Sequence, residues 1–152
     1  MSKAKKIGLA LLAVFIAIQF VRPARNISYT VQTADMITHF NIPDKVAGVL
    51  KTSCYDCHSN NTNYPWYANV QPIGWFLANH IKEGKEDLNL NEFTTYSKRM
   101  QLSKLKSIQN SIKDASMPLS SYTLLNNDAK LSEKGRASII QWTGKLIDSL
   151  SR

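Results

Sequence analysis

Two cysteines and three histidines are the only thiols and imidazoles in this 152-residue chain. That scarcity excludes a good deal. A zinc site takes about four ligands, and His39 and His80, the histidines left besides His58, show no paired ligand spacing with the cysteines. A disulfide between Cys54 and Cys57 would close a very small loop and restrain the unfolded chain little. No strand pattern surrounds the pair, which removes the βαβ setting of a thioredoxin-like motif. No cysteine lies near the N-terminal apolar run, so a lipoprotein is excluded. Acidic residues are few: Asp+Glu number 11 against 19 Lys+Arg, a net charge of +8. No nucleic-acid-binding motif accompanies that surplus. It reads as a solvated basic surface, with attraction to an acidic partner protein or anionic lipid as its functional use. Internal repeats and long low-complexity segments are absent, and the length suits one domain with an appendage.

What is present is Cys54-Tyr55-Asp56-Cys57-His58. This is C-x-x-C-H, the attachment motif of a c-type haem. Two thiols at this spacing can add to the two vinyl groups of one haem, and the histidine that follows can ligate its iron from one side. Covalent haem c, held by Cys54 and Cys57, is therefore the expected cofactor.

The likeness extends beyond the motif. Cys54 to Tyr67 (CYDCHSNNTNYPWY), then Pro72-Ile73-Gly74-Trp75, His80, Gly84 and Met117-Pro118 resemble the bacterial haem-binding domain family, from about Ile42 to Trp142. Members are short c-type cytochrome-like modules, often behind an N-terminal membrane segment. The resemblance implies covalent haem and a mostly helical domain, and it fixes neither a partner nor a reaction.

Lys3, Lys5 and Lys6 precede a largely apolar run, Ile7 to Val21, in which Gln19 is the one clearly polar member. A basic start followed by an apolar stretch reads as a secretory signal or an anchor. The run is somewhat short for the ~17–25 residues of a spanning helix, and Arg22-Pro23-Ala24-Arg25 is a poor cleavage site. The expectation is an uncleaved anchor over residues 1–25 in the cytoplasmic membrane, with the haem domain in the periplasm. The alternative is release to the periplasm after cleavage. Residues 26–42 read as a tether in which His39 is an exposed linker residue, and 43–152 as the haem domain.

The expected fold is all-α, a cytochrome c-like domain around one haem. Pro43 opens a helix with a Val46, Val49, Leu50 stripe that delivers Cys54. Ser59 to Tyr67 is a polar, turn-rich loop whose closing aromatics include Trp66, expected to wall the haem. Pro72 starts a helix that ends at Gly84 and carries Ile73, Phe76, Leu77, His80 and Ile81 on one face. Asn91 reads as an N-cap. Ser103 is expected to cap a helix with Leu105, Ile108, Ile112 and Ala115 inward and Lys104, Lys106 and Lys113 on its solvated side. Ser132 caps the last helix, whose buried side takes Ala137, Ile139, Ile140, Ile147, Leu150 and Trp142.

Met117, followed by Pro118, resembles the distal-ligand loop of small c-type cytochromes. It is the expected sixth iron ligand opposite His58, and His80 is the alternative. With both axial positions filled there is no open iron site for a substrate, so an electron carrier is expected rather than an enzyme. The alternative is a haem enzyme or a gas or redox sensor with an open sixth site.

Overall fold

Ser2 caps the first helix by accepting from the Lys5 N–H, and α1 runs Lys3–Ile18. The computed structural model describes residues 2–152, so residue 1 of the expected anchor lies outside the described residues. α1 buries none of its 16 residues. At ~1.5 Å per residue such a helix rises roughly 24 Å, short of a ~30 Å hydrocarbon core. Among the described residues no helix is long and apolar enough to cross a membrane, so the expected transmembrane helix is not borne out.

The reason lies at Gln19. Its side-chain oxygen accepts from the Gln71 N–H (2.9 Å), and its amide donates to the Gln71 carbonyl (3.1 Å). Trp75 Nε1 donates to the Val21 carbonyl at 2.7 Å. The end of the apolar run is thus bonded to the body of the protein, and the helix stops at Ile18.

The remaining helices are α2 (Met36–His39), α3 (Asp44–Ser53), α4 (Tyr55–His58), α5 (Ile73–Asp87), α6 (Lys98–Lys113), α7 (Ser120–Thr123) and α8 (Glu133–Ser151). Single 3₁₀ segments cover Trp66–Asn69, Leu90–Thr95 and Asn127–Ala129, and no strand occurs among the described residues. The fold is all-helical, as expected.

α8 packs on both α3 and α6, and α5 packs on α4 and on the Trp66–Asn69 turn. Two hydrophobic clusters result. The larger gathers Met36, Val46, Leu50, Leu90, Phe93, Leu105, Ile112, Ile139 and Trp142. The smaller holds Tyr67, Ala68, Leu77 and Ile81. Cys54 and Tyr55 pack against the first cluster and Cys57 against the second, so the motif helix α4 joins them.

Residues 26–42 are built into this body rather than forming a free tether. Met36 is fully buried. Asp35, also buried, accepts from Tyr55 Oη (2.9 Å) and Asn91 Nδ2 (2.5 Å) and caps α2 through the Ile37 and Thr38 N–H groups. His39 is exposed, with its ring edge-on to Phe40.

Cap positions differ from the sequence reading in three places. α6 begins earlier, because Ser97 rather than Ser103 accepts from the Met100 N–H. Asn89, not Asn91, caps the Leu90–Thr95 turn, since the Asn91 side chain is drawn inward to Asp35. Gly84 does not end its helix, for Leu88 N–H still bonds the Gly84 carbonyl and α5 continues to Asp87. Ser132 caps α8 as read, accepting from Gly135 N–H at 3.1 Å. Ala137 on α8 is exposed, while Ile139 and Trp142 are buried.

Candidate haem site

Leu50 is nearly fully buried, which fixes the rotation of α3 and hence where Cys54 emerges at its end. The Cys57 and His58 N–H groups both bond the Cys54 carbonyl, at 3.2 and 2.9 Å. That single turn brings the two thiols and the imidazole to one place.

The two residues between the cysteines tie the turn down on opposite sides. Tyr55 bonds Asp35 as described. Asp56 accepts from Tyr122 Oη (2.6 Å) and from the Asn63 N–H (2.9 Å). Burial, reinforced by the facing carboxylates, pushes both phenols above the ordinary tyrosine range, so they remain donors. Both cysteines are free. Burial, with Cys57 adding to it, pushes the Cys54 thiol up to about 12. Burial, followed by the Asp56 charge, pushes Cys57 up to about 11. Each is a protonated thiol at neutral pH.

His58 Nδ1 lies 2.8 Å from the Gly84 carbonyl and 3.1 Å from the Leu88 carbonyl. Carbonyls only accept, so Nδ1 carries the proton and Nε2 is left with its lone pair. This is the tautomer that a metal-ligating histidine needs, held by its surroundings.

Gly84 matters here for a second reason. A Cβ on it would lie 2.8 Å from the Cys57 carbonyl oxygen and 3.3 Å from Cys57 Cβ. The absent side chain is what lets α5 press against the motif and present its carbonyls to His58. Gly84→Ala is expected to cost about 1–3 kcal/mol through overpacking and to lower the melting temperature by roughly 2–10 °C. Gly48→Ala on α3 meets nothing within 4 Å and should stabilise by about 0.5–1 kcal/mol through helix propensity. Thermal melts of both variants, followed by circular dichroism, test the pair. Equal melting temperatures would remove the steric argument.

Two adjoining clefts flank His58. The first, of about 690 Å³ including its open mouth, has apolar walls of Leu50, Leu88, Leu90, Ile108, Ile112 and Leu131, and Cys54 lines it. The second, of about 870 Å³ on the same measure, is lined by Cys57, His80, Glu83, Leu119 and Tyr122 among others. Ser53, His58, Asp87, Met117 and Pro118 belong to both.

Met117 and His80, far apart in sequence from His58, thus meet it in one place. Met117 follows α6, its N–H held by the Ser111 carbonyl at 3.1 Å, and its side chain is 37% exposed. His80 Nε2 is buried without a hydrogen-bond partner among the described residues. Its Nδ1 faces Glu83 Oε2 at 3.9 Å, and Phe76 stacks edge-on at 4.3 Å.

Trp66 does not join them. It is 76% exposed and lines neither cleft. The 3₁₀ turn that starts at Trp66 sends the next ring, Tyr67, inward to Leu77 and Ile81, where its hydroxyl accepts from Asn126. In a three-residue turn adjacent side chains point about 120° apart, so only one of the two can face the core.

An apolar cleft, two free thiols and a histidine with Nε2 available fit a haem. The comparison with known proteins agrees: the sequence model of the haem-binding domain matches residues 13–145. The chain belongs to the haem-binding domain family. No curated protein and no solved structure matches it.

Several groups of this haem-binding domain were not legible in the sequence. Asp35 and Asn91 reach the motif only through folding. Lys104, expected on the solvated side of α6, lines the first cleft with Ser107 and Ser111. Their i, i+3, i+7 spacing was visible, but it runs beside the apolar stripe and gives no sign by itself of what it faces.

Proposed function

We propose that this protein binds one haem covalently, through thioethers to Cys54 and Cys57, and serves as an electron carrier. The observation that carries the reading is His58, whose Nδ1 is fixed by the Gly84 and Leu88 carbonyls and which lines both clefts, one with Cys54 and the other with Cys57. When bound, the iron supplies reversible one-electron chemistry. The chain's part is to hold that group. His58 Nε2 would ligate the iron. Each cysteine would add its sulfur and hydrogen across one vinyl double bond. Leu50, Leu90, Ile108 and Ile112 keep water from the first cleft.

Met117 is the proposed sixth ligand, since it borders both clefts with His58. A second reading, ligation by His80, rests on its buried, unpartnered Nε2. Such a nitrogen costs about 1–3 kcal/mol when left alone, and ligation would relieve that cost. With either ligand in place the iron has no open position, which favours a carrier over an enzyme or gas sensor.

The exposed apolar surface of α1, with Lys3, Lys5 and Lys6 at one end and Arg22 and Arg25 beyond the other, supports attachment to an anionic membrane surface. A c-type haem is attached outside the cytoplasmic membrane, so the proposed location of the domain is the periplasm. The basic surface suits an acidic redox partner.

The test is an absorption spectrum, with a pyridine haemochrome, of protein matured in a periplasm and recovered by membrane fractionation. The expected product is membrane-associated, carries haem c and does not bind carbon monoxide when reduced. Tight carbon monoxide binding would move the reading to a sensor or enzyme, and protein without haem would end it.

A further inference from the structure

The walls of the two clefts contain one Lys or Arg, Lys104. It extends from α6 beside an apolar cavity, and its side chain is only 21% exposed. One ion pair is formed, Nζ to Asp87 Oδ1 at 2.9 Å, and Asp87 itself is 72% exposed. An ammonium has three donors, and no other hydrogen bond from this one is made among the described residues. Ser107 and Ser111 lie on the same side of α6, at i+3 and i+7, and line the same cleft. Neither hydroxyl has a hydrogen bond to another described residue, so both are free to donate. The first cleft is therefore lined by leucines and isoleucines, with the Lys104–Asp87 ion pair and the Ser107 and Ser111 hydroxyls beside them.

A haem has the matching division, an apolar disc with two carboxylates at one edge. The geometry points to Lys104, supported by Ser107 and Ser111, as the group that receives a haem propionate, with Asp87, which lines the same cleft, paired to the ammonium. This rests on the haem reading above and adds an orientation to it: the carboxylate edge lies toward α6. Asp87 opposes an incoming carboxylate, and its exposure leaves that opposition screened by water. Lys104 is a positioning and charge-neutralising residue, distinct from the groups that would hold the ring and the iron.

The experiment compares periplasm-matured wild type, Lys104→Gln and Lys104→Arg, each carrying covalent haem as judged by haem stain on a denaturing gel. The first readout is the midpoint potential. A cation beside a propionate favours the reduced, less positive iron, so Lys104→Gln should lower the reduced-to-oxidised ratio at fixed potential by roughly threefold or more. Lys104→Arg should stay at the wild-type value. The second readout is the propionate bending mode in resonance Raman spectra, which a purely structural effect of residue 104 would leave in place. It should move in Lys104→Gln and stay in Lys104→Arg. This spectrum reports on attached haem even where the glutamine variant is less stable. An unchanged propionate mode in Lys104→Gln overturns the assignment while leaving the haem reading intact. Haem-free wild-type protein overturns the haem reading and this assignment together.

Discussion

Replacing Cys54 and Cys57 together by alanine is expected to abolish haem staining on a denaturing gel and to leave a protein that melts far below the wild type. Both thiols sit on the turn that joins the two hydrophobic clusters. Without the tethers only His58 would retain the ring, and a single coordinate bond does not survive denaturation. The stability loss follows from the cleft walls. Ring contact with Leu50, Leu88, Leu90, Ile108, Ile112 and Leu131 covers on the order of 100 Å² of apolar surface, or about 3 kcal/mol at ~25 cal/mol per Å². That is a sizeable fraction of the ~5–15 kcal/mol by which folded domains are stable. The thiols themselves are a minor part of the loss, since alanine keeps Cβ and each cysteine is only partly buried. Haem-stained double variant recovered from the gel would be incompatible with thioether attachment.

Met117→Ala is expected to open one iron position and to lower the potential, because a thioether favours the reduced iron more than a second imidazole or water does. The wild type should show the weak near-infrared charge-transfer band of sulfur-to-iron ligation when oxidised. The variant should lose it and bind carbon monoxide when reduced. His80→Ala separates the two candidates. If Met117 is the ligand, this change leaves the band in place. It removes the buried nitrogen that lacks a partner and the ring stacked on Phe76, so it alters the melting temperature and not the ligation. A wild type without the band, or a band that survives Met117→Ala, would sink Met117. Carbon monoxide binding in His80→Ala alone would establish His80 opposite His58.

Local chemistry accounts for what could be read in advance. The spacing of Cys54, Cys57 and His58 lies within one helical turn, so sequence distance is spatial distance there. Pro43 before α3, the Val46–Leu50 stripe, the Ser132 cap of α8 and the Leu105–Ile112 face of α6 are likewise set by neighbours three or four residues away. Misreadings cluster where a distant partner overrides a local preference. Gly84 has the composition of a helix end, yet the backbone of Cys57 occupies the space a side chain would need. Trp66 belongs to an aromatic run that suggests a pocket, yet Tyr67 takes the inward direction. The Ile7–Val21 run has the hydropathy of an anchor, yet Gln19 binds Gln71 and ends the helix at Ile18.

By itself, then, the sequence determined the all-helical class and the grouping of Cys54, Cys57 and His58 on one turn, because each depends on residues within a turn of one another. Only the tertiary structure decided which nitrogen of His58 is free, since the two carbonyls that hold Nδ1 belong to Gly84 and Leu88. It alone set Met117 and His80 beside His58, enclosed Asp35 under Tyr55, and turned Lys104 from the solvent toward the cleft. Those placements depend on how α5 and α6 pack around α4, and helix packing is fixed by the fit of whole faces, which no short stretch of sequence contains.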